Sequence, residues 1–169
     1  LSLKEGFTVY RDQEFSADTT SRGVKRVSDI NMLRNHQFRE DAGPTAHSVQ
    51  PDSYLEISNF YTATVYEKGA EVVRMLAEML GPTRFRQATD RYFNRYDGQA
   101  VTIDHFLEVM ATSGELDLTQ FLLWYTQSGT PEFSVRRSWD PERGIFTLGL
   151  TQTCPPTPGQ PEKSPFHIP

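Results

Sequence analysis

The spacing of apolar residues changes period once along this chain, at Thr130-Pro131, and that change limits the folds open to it. Before it, apolar side chains recur every three or four residues, the repeat of one helix face. After it they alternate with polar neighbours. Phe133 and Val135 stand on one run and Phe146, Leu148 and Leu150 on the next, with Trp139-Asp140-Pro141-Glu142-Arg143-Gly144 as the turn between them. Period two on both sides of a turn predicts a β-hairpin. The chain is therefore expected to be mainly α over 1–129 and to start a separate β domain over 130–169. A lone hairpin is marginal in water, so its strand partners are expected outside the 169 residues given.

Several helices are legible in the first part. Leu3, Phe7, Tyr10, Glu14 and Phe15 recur at helical spacing over 3–16, with Gly6 lowering the propensity there. Val24, Val27, Ile30, Leu33 and Phe38 mark a second helix over 21–40, with Ser21 as its N-cap and a polar face rich in Arg and Asp. Gly43, Pro44 and Pro51 make 41–56 an irregular loop, a length more often functional than idle. The strongest stripe, Val65, Gly69, Val72, Val73, Leu76, Met79 and Leu80, predicts a helix over 61–80 ended by Gly81. Pro82 then starts another, with Phe85, Ala88, Tyr92, Phe93 and Tyr96. Thr102 caps a shorter helix that Gly114 ends, and Asp117 with Gln120 makes a capping-box-like start for one more, up to Gly129. The prolines from Pro155 to Pro161 predict a loop of poor structure content.

Composition excludes several function classes. The formal net charge is -5, with Lys and Arg scattered, which is no nucleic-acid footprint. No apolar run approaches the ~18 residues of a membrane span. Cys154 is the single cysteine, so neither an internal disulfide nor a Cys-rich zinc site is open to the chain, and a reducing, cytoplasmic setting is expected. The chain opens on Leu1 without a cap in front, and it stops at Pro169 just as an apolar run begins. Both ends are thus expected to continue in a longer polypeptide.

No complete catalytic motif stands in these residues. The four histidines, His36, His47, His105 and His167, include no pair spaced four apart on a helix, so each is read as a surface or packing residue. His36 and His47 fall in 34–51, which is expected to shape a channel wall. A Glu early in a helix, such as Glu5, is by default a solvated partner of the helix dipole. A Tyr beside a core residue, such as Tyr66 after Val65, is by default a core side chain with a satisfied hydroxyl.

Two segments change those defaults. Leu1-Ser2-Leu3-Lys4-Glu5-Gly6-Phe7-Thr8 and Asn59-Phe60-Tyr61-Thr62-Ala63-Thr64-Val65-Tyr66-Glu67-Lys68-Gly69-Ala70 resemble the catalytic domain of the bacterial aminopeptidases N, zinc metallopeptidases of the gluzincin clan. The resemblance extends through Arg11-Asp12-Gln13-Glu14-Phe15 and Tyr125-Thr126-Gln127-Ser128-Gly129-Thr130-Pro131 to the tail, where Glu162-Lys163 and His167-Ile168-Pro169 match. It implies the helical lobe of a thermolysin-like domain followed by the start of a β-sandwich. It implies Zn²⁺ as cofactor, held by the two histidines of an H-E-x-x-H motif and by a glutamate eighteen residues further on. Glu5 matches that glutamate. Only four residues precede it, so the paired histidines, the general-base glutamate and the Gly-x-Met-Glu-Asn motif are expected upstream of Leu1.

By the same resemblance, Tyr66 is the catalytic donor to the oxyanion and Tyr61 lines the pocket for the substrate's first side chain. Lys4 and Glu67 flank these residues as groups that orient them. Tyr61 precedes Tyr66 by five residues, about 140° net around a helix, and need not share its face. Ser58 departs from the asparagine expected beside Asn59, which leaves that position without an assigned role. The implied partners are peptides with a free N-terminus and the N-terminal remainder of the same polypeptide, with a dimer through uncovered apolar surface also open. No nucleic-acid or membrane partner is expected. Two other readings stay open: a helical scaffold or interaction module with vestigial peptidase ancestry, and a leukotriene-hydrolase-like bifunctional gluzincin, which the match to the bacterial segments disfavours.

Overall fold

The strongest apolar stripe forms the central helix of the structure, a computed structural model that describes all 169 residues. Helix α1 spans Ser2–Thr19 and α2 spans Arg22–Met32, followed by a π-helical turn at Leu33–Gln37 and a short α3 at Phe38–Asp41. After the irregular 42–56, a 3-10 turn at Ile57–Phe60 and a second π-helical turn at Thr64–Lys68 lead into α4, Gly69–Tyr96. Then come α5 (Ile103–Gly114), a short α6 (Leu123–Thr126), and the strands β1 (Glu132–Asp140) and β2 (Ile145–Thr153). Val72, Val73, Leu76 and Leu80 of α4 are buried against Phe106, Val109 and Met110 of α5, with Phe121 and Tyr125 closing the same core. Inside α4, Gly81 takes φ 72 and ψ 162, a backbone state nearly confined to glycine, so the helix breaks there and restarts at Pro82. No helix is long and apolar enough to cross a membrane.

The second helix differs from its expected orientation. Val24 and Val27 are 72% and 61% exposed, although their spacing predicted burial. Charge holds this helix instead of apolar contact. Arg26 of α2 makes two hydrogen bonds to Glu71 of α4, at 2.6 and 2.7 Å. Arg22 reaches Glu14 of α1, which also accepts from Arg74 of α4 at 2.6 Å. Arg26, only partly exposed, is thus turned to α4, and Val24 and Val27 of the same helix lie in solvent. Ser21 sits at the N-cap with extended backbone but makes no capping hydrogen bond.

Later helices show similar departures. At the start of α5 the Thr102 amide donates to Nδ1 of His105 at 3.1 Å, so that histidine serves as a helix cap. Glu115, not Gly114, is the left-handed residue that ends α5, at φ 54. A Cβ on Gly114 would lie 2.9 Å from the Leu116 side chain, so its glycine serves a close approach. Asp117 accepts the Thr119 amide, whereas Gln120 donates to the Pro165 carbonyl instead of closing a capping box. The helix expected after Asp117 is accordingly reduced to Leu123–Thr126.

The hairpin forms as its alternation predicts. Its strands pair antiparallel from Glu132↔Thr153 to Asp140↔Ile145. Val135 opposes Leu150 and Trp139 opposes Phe146, which puts these residues with Phe133 and Leu148 on one exposed face. The proline-rich tail is irregular, as expected, yet far from loose. Gln127 and Gln152 each pair through the side-chain amide with a tail backbone unit, at Ser164 and Phe166. Phe166 stacks on Trp124 at 4.2 Å, and the Trp124 indole donates to the His167 carbonyl. Side-chain amides thus supply the hydrogen bonds that a strand would otherwise give.

Candidate functional site

Two glycines set the site. A Cβ placed on Gly6 would lie 2.7 Å from the carbonyl carbon of Gly69, and one on Gly69 would lie 3.3 Å from Cα of Gly6. The backbones of α1 and α4 therefore touch where they cross, an approach open only to residues without a side chain. Glu5 stands one residue before the first glycine and Tyr66 three before the second, so the crossing brings the carboxylate and the phenol together. Exchanging Gly6 for alanine must push the helices apart. We expect a loss of about 1–3 kcal/mol, as for overpacked cores, measured by urea unfolding. Unchanged stability would contradict the contact.

Tyr66 lies in the π-helical turn that precedes α4. Such a turn carries wider i→i+5 bonding and recurs at functional positions. Thr64, Val65 and Lys68 of the same turn are buried, which leaves Tyr66 half-buried and facing Glu5. Partial burial pushes the Tyr66 phenol up from its ordinary pKa, and the Glu5 carboxylate beside it raises it further. Glu5 itself is buried, and its Oε1 accepts from Nζ of Lys4 at 3.0 Å. That hydrogen bond and the charge of Glu5 raise the Lys4 ammonium.

Tyr61 also joins the site. Its ring centroid lies 6.1 Å from that of Tyr66, with the planes 39° apart, and it is 62% exposed. The helical angle between the two did not apply, because Tyr61 precedes the helix and has φ -81 and ψ 66. Glu67 turns elsewhere. Its Oε2 accepts from Gln13 at 3.4 Å, in a polar cavity of ≈ 370 Å³ that Asp12, Asp29 and His36 also line. Burial, and then the charge of Asp29, push the Glu67 carboxyl up. His47, from the irregular 42–56, meets Thr62 just before the turn. The structure thus brings Lys4, Glu5, Tyr61 and Tyr66 together and sets Glu67 apart from them.

Behind the turn lies a buried ion pair that the sequence did not reveal. Asp41 and Lys68 are 2% and 6% exposed, with Nζ 2.7 Å from Oδ2. Lys68 also donates to the Gly129 carbonyl at 2.9 Å, while Asp41 accepts the Gly129 amide and the Thr130 hydroxyl. The partners are separated by long stretches of chain, so no local signal could have paired them. Burial alone would push the Asp41 carboxyl up, but the charge and hydrogen bond of Lys68 outweigh it and hold it below the usual carboxylate range.

As a metal site the arrangement is partial. A buried carboxylate whose neighbours are an ammonium and a phenol is a sound single oxygen donor for Zn²⁺. No three His, Cys, Asp or Glu side chains of this chain converge, however, so any metal at Glu5 needs donors from elsewhere.

Residues 1–125 match the peptidase family M1 domain, and residues 129–169 match a domain of unknown function with an Ig-like fold. The chain is 50% identical over all 169 residues to aminopeptidase N of Escherichia coli, covering 19% of that protein. It is 48% identical to aminopeptidase N of Haemophilus influenzae over the same span, again 19% of that protein. Against aminopeptidase N of Caulobacter vibrioides it is 53% identical over 147 residues. The crystal structure of Legionella pneumophila aminopeptidase A in complex with aspartic acid superposes with a TM-score of 0.73 at 29% identity, over 90% of this chain and 17% of that one. The chain therefore spans about a fifth of the length of these relatives.

Proposed function

The chain belongs to peptidase family M1, and from that premise we propose that it forms part of a zinc aminopeptidase that releases the N-terminal amino acid from peptides. The observation that carries this reading is the Glu5 carboxylate set against the Tyr66 phenol by the Gly6–Gly69 crossing. In the proposal, residues 1–129 complete the catalytic domain and 130–169 open the β domain. Two histidines N-terminal to Leu1 join Glu5 in holding the metal. Zinc, when bound, supplies Lewis-acid polarisation and a water acidic enough to be activated near neutral pH.

The residues of this chain have separate tasks. Glu5 would give one oxygen to the metal, with Lys4 hydrogen-bonded to its Oε1 from the solvent side. A phenol ordinarily ionises only at about pH 10, so Tyr66 carries its proton near neutral pH. A protonated phenol is the form that donates to an oxyanion as it develops. Tyr61, exposed beside Tyr66, forms a wall for the first side chain of the peptide. Glu67 acts on α1 through Gln13 instead of on Glu5 directly. The single cysteine accords with a cytoplasmic setting, and in the 169-residue chain by itself the uncovered apolar face of the hairpin offers a surface for self-association.

The 169-residue chain by itself is proposed to be inactive, since one carboxylate does not make a zinc site. The check is dialysis of this chain against zinc, then assay of bound metal and of hydrolysis of an aminoacyl reporter. The expected result is no stoichiometric zinc and no turnover. Tight zinc together with turnover would overturn the proposal.

A further inference from the structure

The geometry points to His47 and Thr62 as positioning residues for Tyr61 and Tyr66: a side-chain relay that fixes the start of the turn carrying the catalytic phenol. The inference rests on the reading of Tyr66 proposed above. Nδ1 of His47 lies 2.8 Å from the Ser48 carbonyl oxygen, which can only accept, so Nδ1 carries the proton. Nε2 of the same ring lies 3.1 Å from the Thr62 hydroxyl and 3.9 Å from Oε1 of Glu40. The oxygen of Thr62 in turn accepts the Val65 amide at 3.2 Å. The chain of bonds joins the Val65 amide through Thr62 and His47 to a backbone carbonyl of the irregular 42–56.

A second group acts at the same place. Oε1 of Glu40, at the end of α3, accepts the Thr64 amide at 2.8 Å. The first amides of a helix have no partner within it, so these side chains decide where the turn begins. A negative carboxylate there also opposes the positive end of the helix dipole. Tyr61 precedes Thr62 and Tyr66 follows Val65, so the clamp lies between the two aromatic residues of the site. The ring of His47 is itself held edge-on against Phe60, at 5.4 Å between centroids. None of these groups touches Glu5, so they act through Tyr61 and Tyr66 alone.

The test uses the complete polypeptide encoded by the gene, with His47→Leu, Thr62→Val and Thr62→Ser. Displacing a reacting group by an ångström can cost about 100-fold. We therefore expect His47→Leu and Thr62→Val each to lower kcat by about 10-fold or more, with KM changed less than about twofold. Thr62→Ser, which keeps the hydroxyl, restores kcat. The double variant His47→Leu/Thr62→Val loses no more than either single variant, because both break one relay. A fall in thermal stability with kcat unchanged in Thr62→Val would overturn the inference. Amide hydrogen exchange of the peptide covering 60–70 gives an arm independent of activity. Faster exchange at Thr64 and Val65 in Thr62→Val but not in Thr62→Ser supports the clamp, and unchanged exchange overturns it. A wild-type polypeptide that releases no N-terminal amino acids would sink the peptidase reading, while the exchange result still decides the clamp. If His47→Leu fails to fold, the two Thr62 variants carry the decision.

Discussion

Tyr66→Phe in the complete polypeptide is expected to lower kcat by about 10²–10³ with little change in KM, the cost of one oxyanion donor, about 2.7–4 kcal/mol of barrier. The substitution removes only the hydroxyl. The ring keeps its place beside Tyr61 and on the turn before α4, so ground-state binding of the peptide persists. An interaction made only in the transition state lowers kcat and kcat/KM together, whereas a binding contact would raise KM. Steady-state kinetics on an aminoacyl reporter separates the two. A kcat within about threefold of wild type would remove Tyr66 from the reaction and leave it a wall residue.

Asp41→Asn is expected to destabilise the fold by about 3–5 kcal/mol, a large part of the ~5–15 kcal/mol available to a domain. The loss comes less from the attraction removed than from Lys68 left charged and buried without its counter-ion. Lys68→Met in the same background should recover part of it. The recovery is partial because removing Lys68 also leaves the Gly129 carbonyl without its buried donor. The pH dependence follows from the depressed Asp41 carboxyl. Its folded pKa is below the unfolded value of about 3.9, so the ion pair's contribution is whole above that value. It is lost as pH falls through the unfolded and then the folded pKa. Urea unfolding from pH 7 down to about pH 3 should thus show wild type converging on Asp41→Asn, and parallel curves would contradict the assignment.

Much of the fold was legible because its signals are local. The stripe from Val65 to Leu80, the Gly81-Pro82 break and the alternation around the Asp140–Gly144 turn each specify structure within a few residues. What was not legible depends on partners distant in sequence. Val24 and Val27 look like a buried face until Arg26 is seen bound to Glu71, forty-five positions away. The tail looks featureless until Gln127 and Gln152 pair with its backbone. Gln120 fits a capping box locally, yet the tail recruits it.

The site divides the same way. Glu5 and Tyr66 entered through the resemblance of their segments, and the glycines that bring them together were visible only as a weak helix position and one member of a stripe. The sharing of a face by Tyr61 and Tyr66 was hidden because helical geometry was assumed where the chain is not helical. Thr62 stood two residues ahead of the turn and could have been read as its cap. Glu40 and Asp41 carried no signal at all, since the groups they satisfy are folded against them from elsewhere in the chain.

The most direct test of the account is the zinc content of the complete polypeptide after exhaustive dialysis, compared between wild type and Glu5→Ala. One tightly held zinc per chain in the wild type, lost from a Glu5→Ala variant that still unfolds cooperatively, is the predicted result. Equal, tight zinc in both would contradict it.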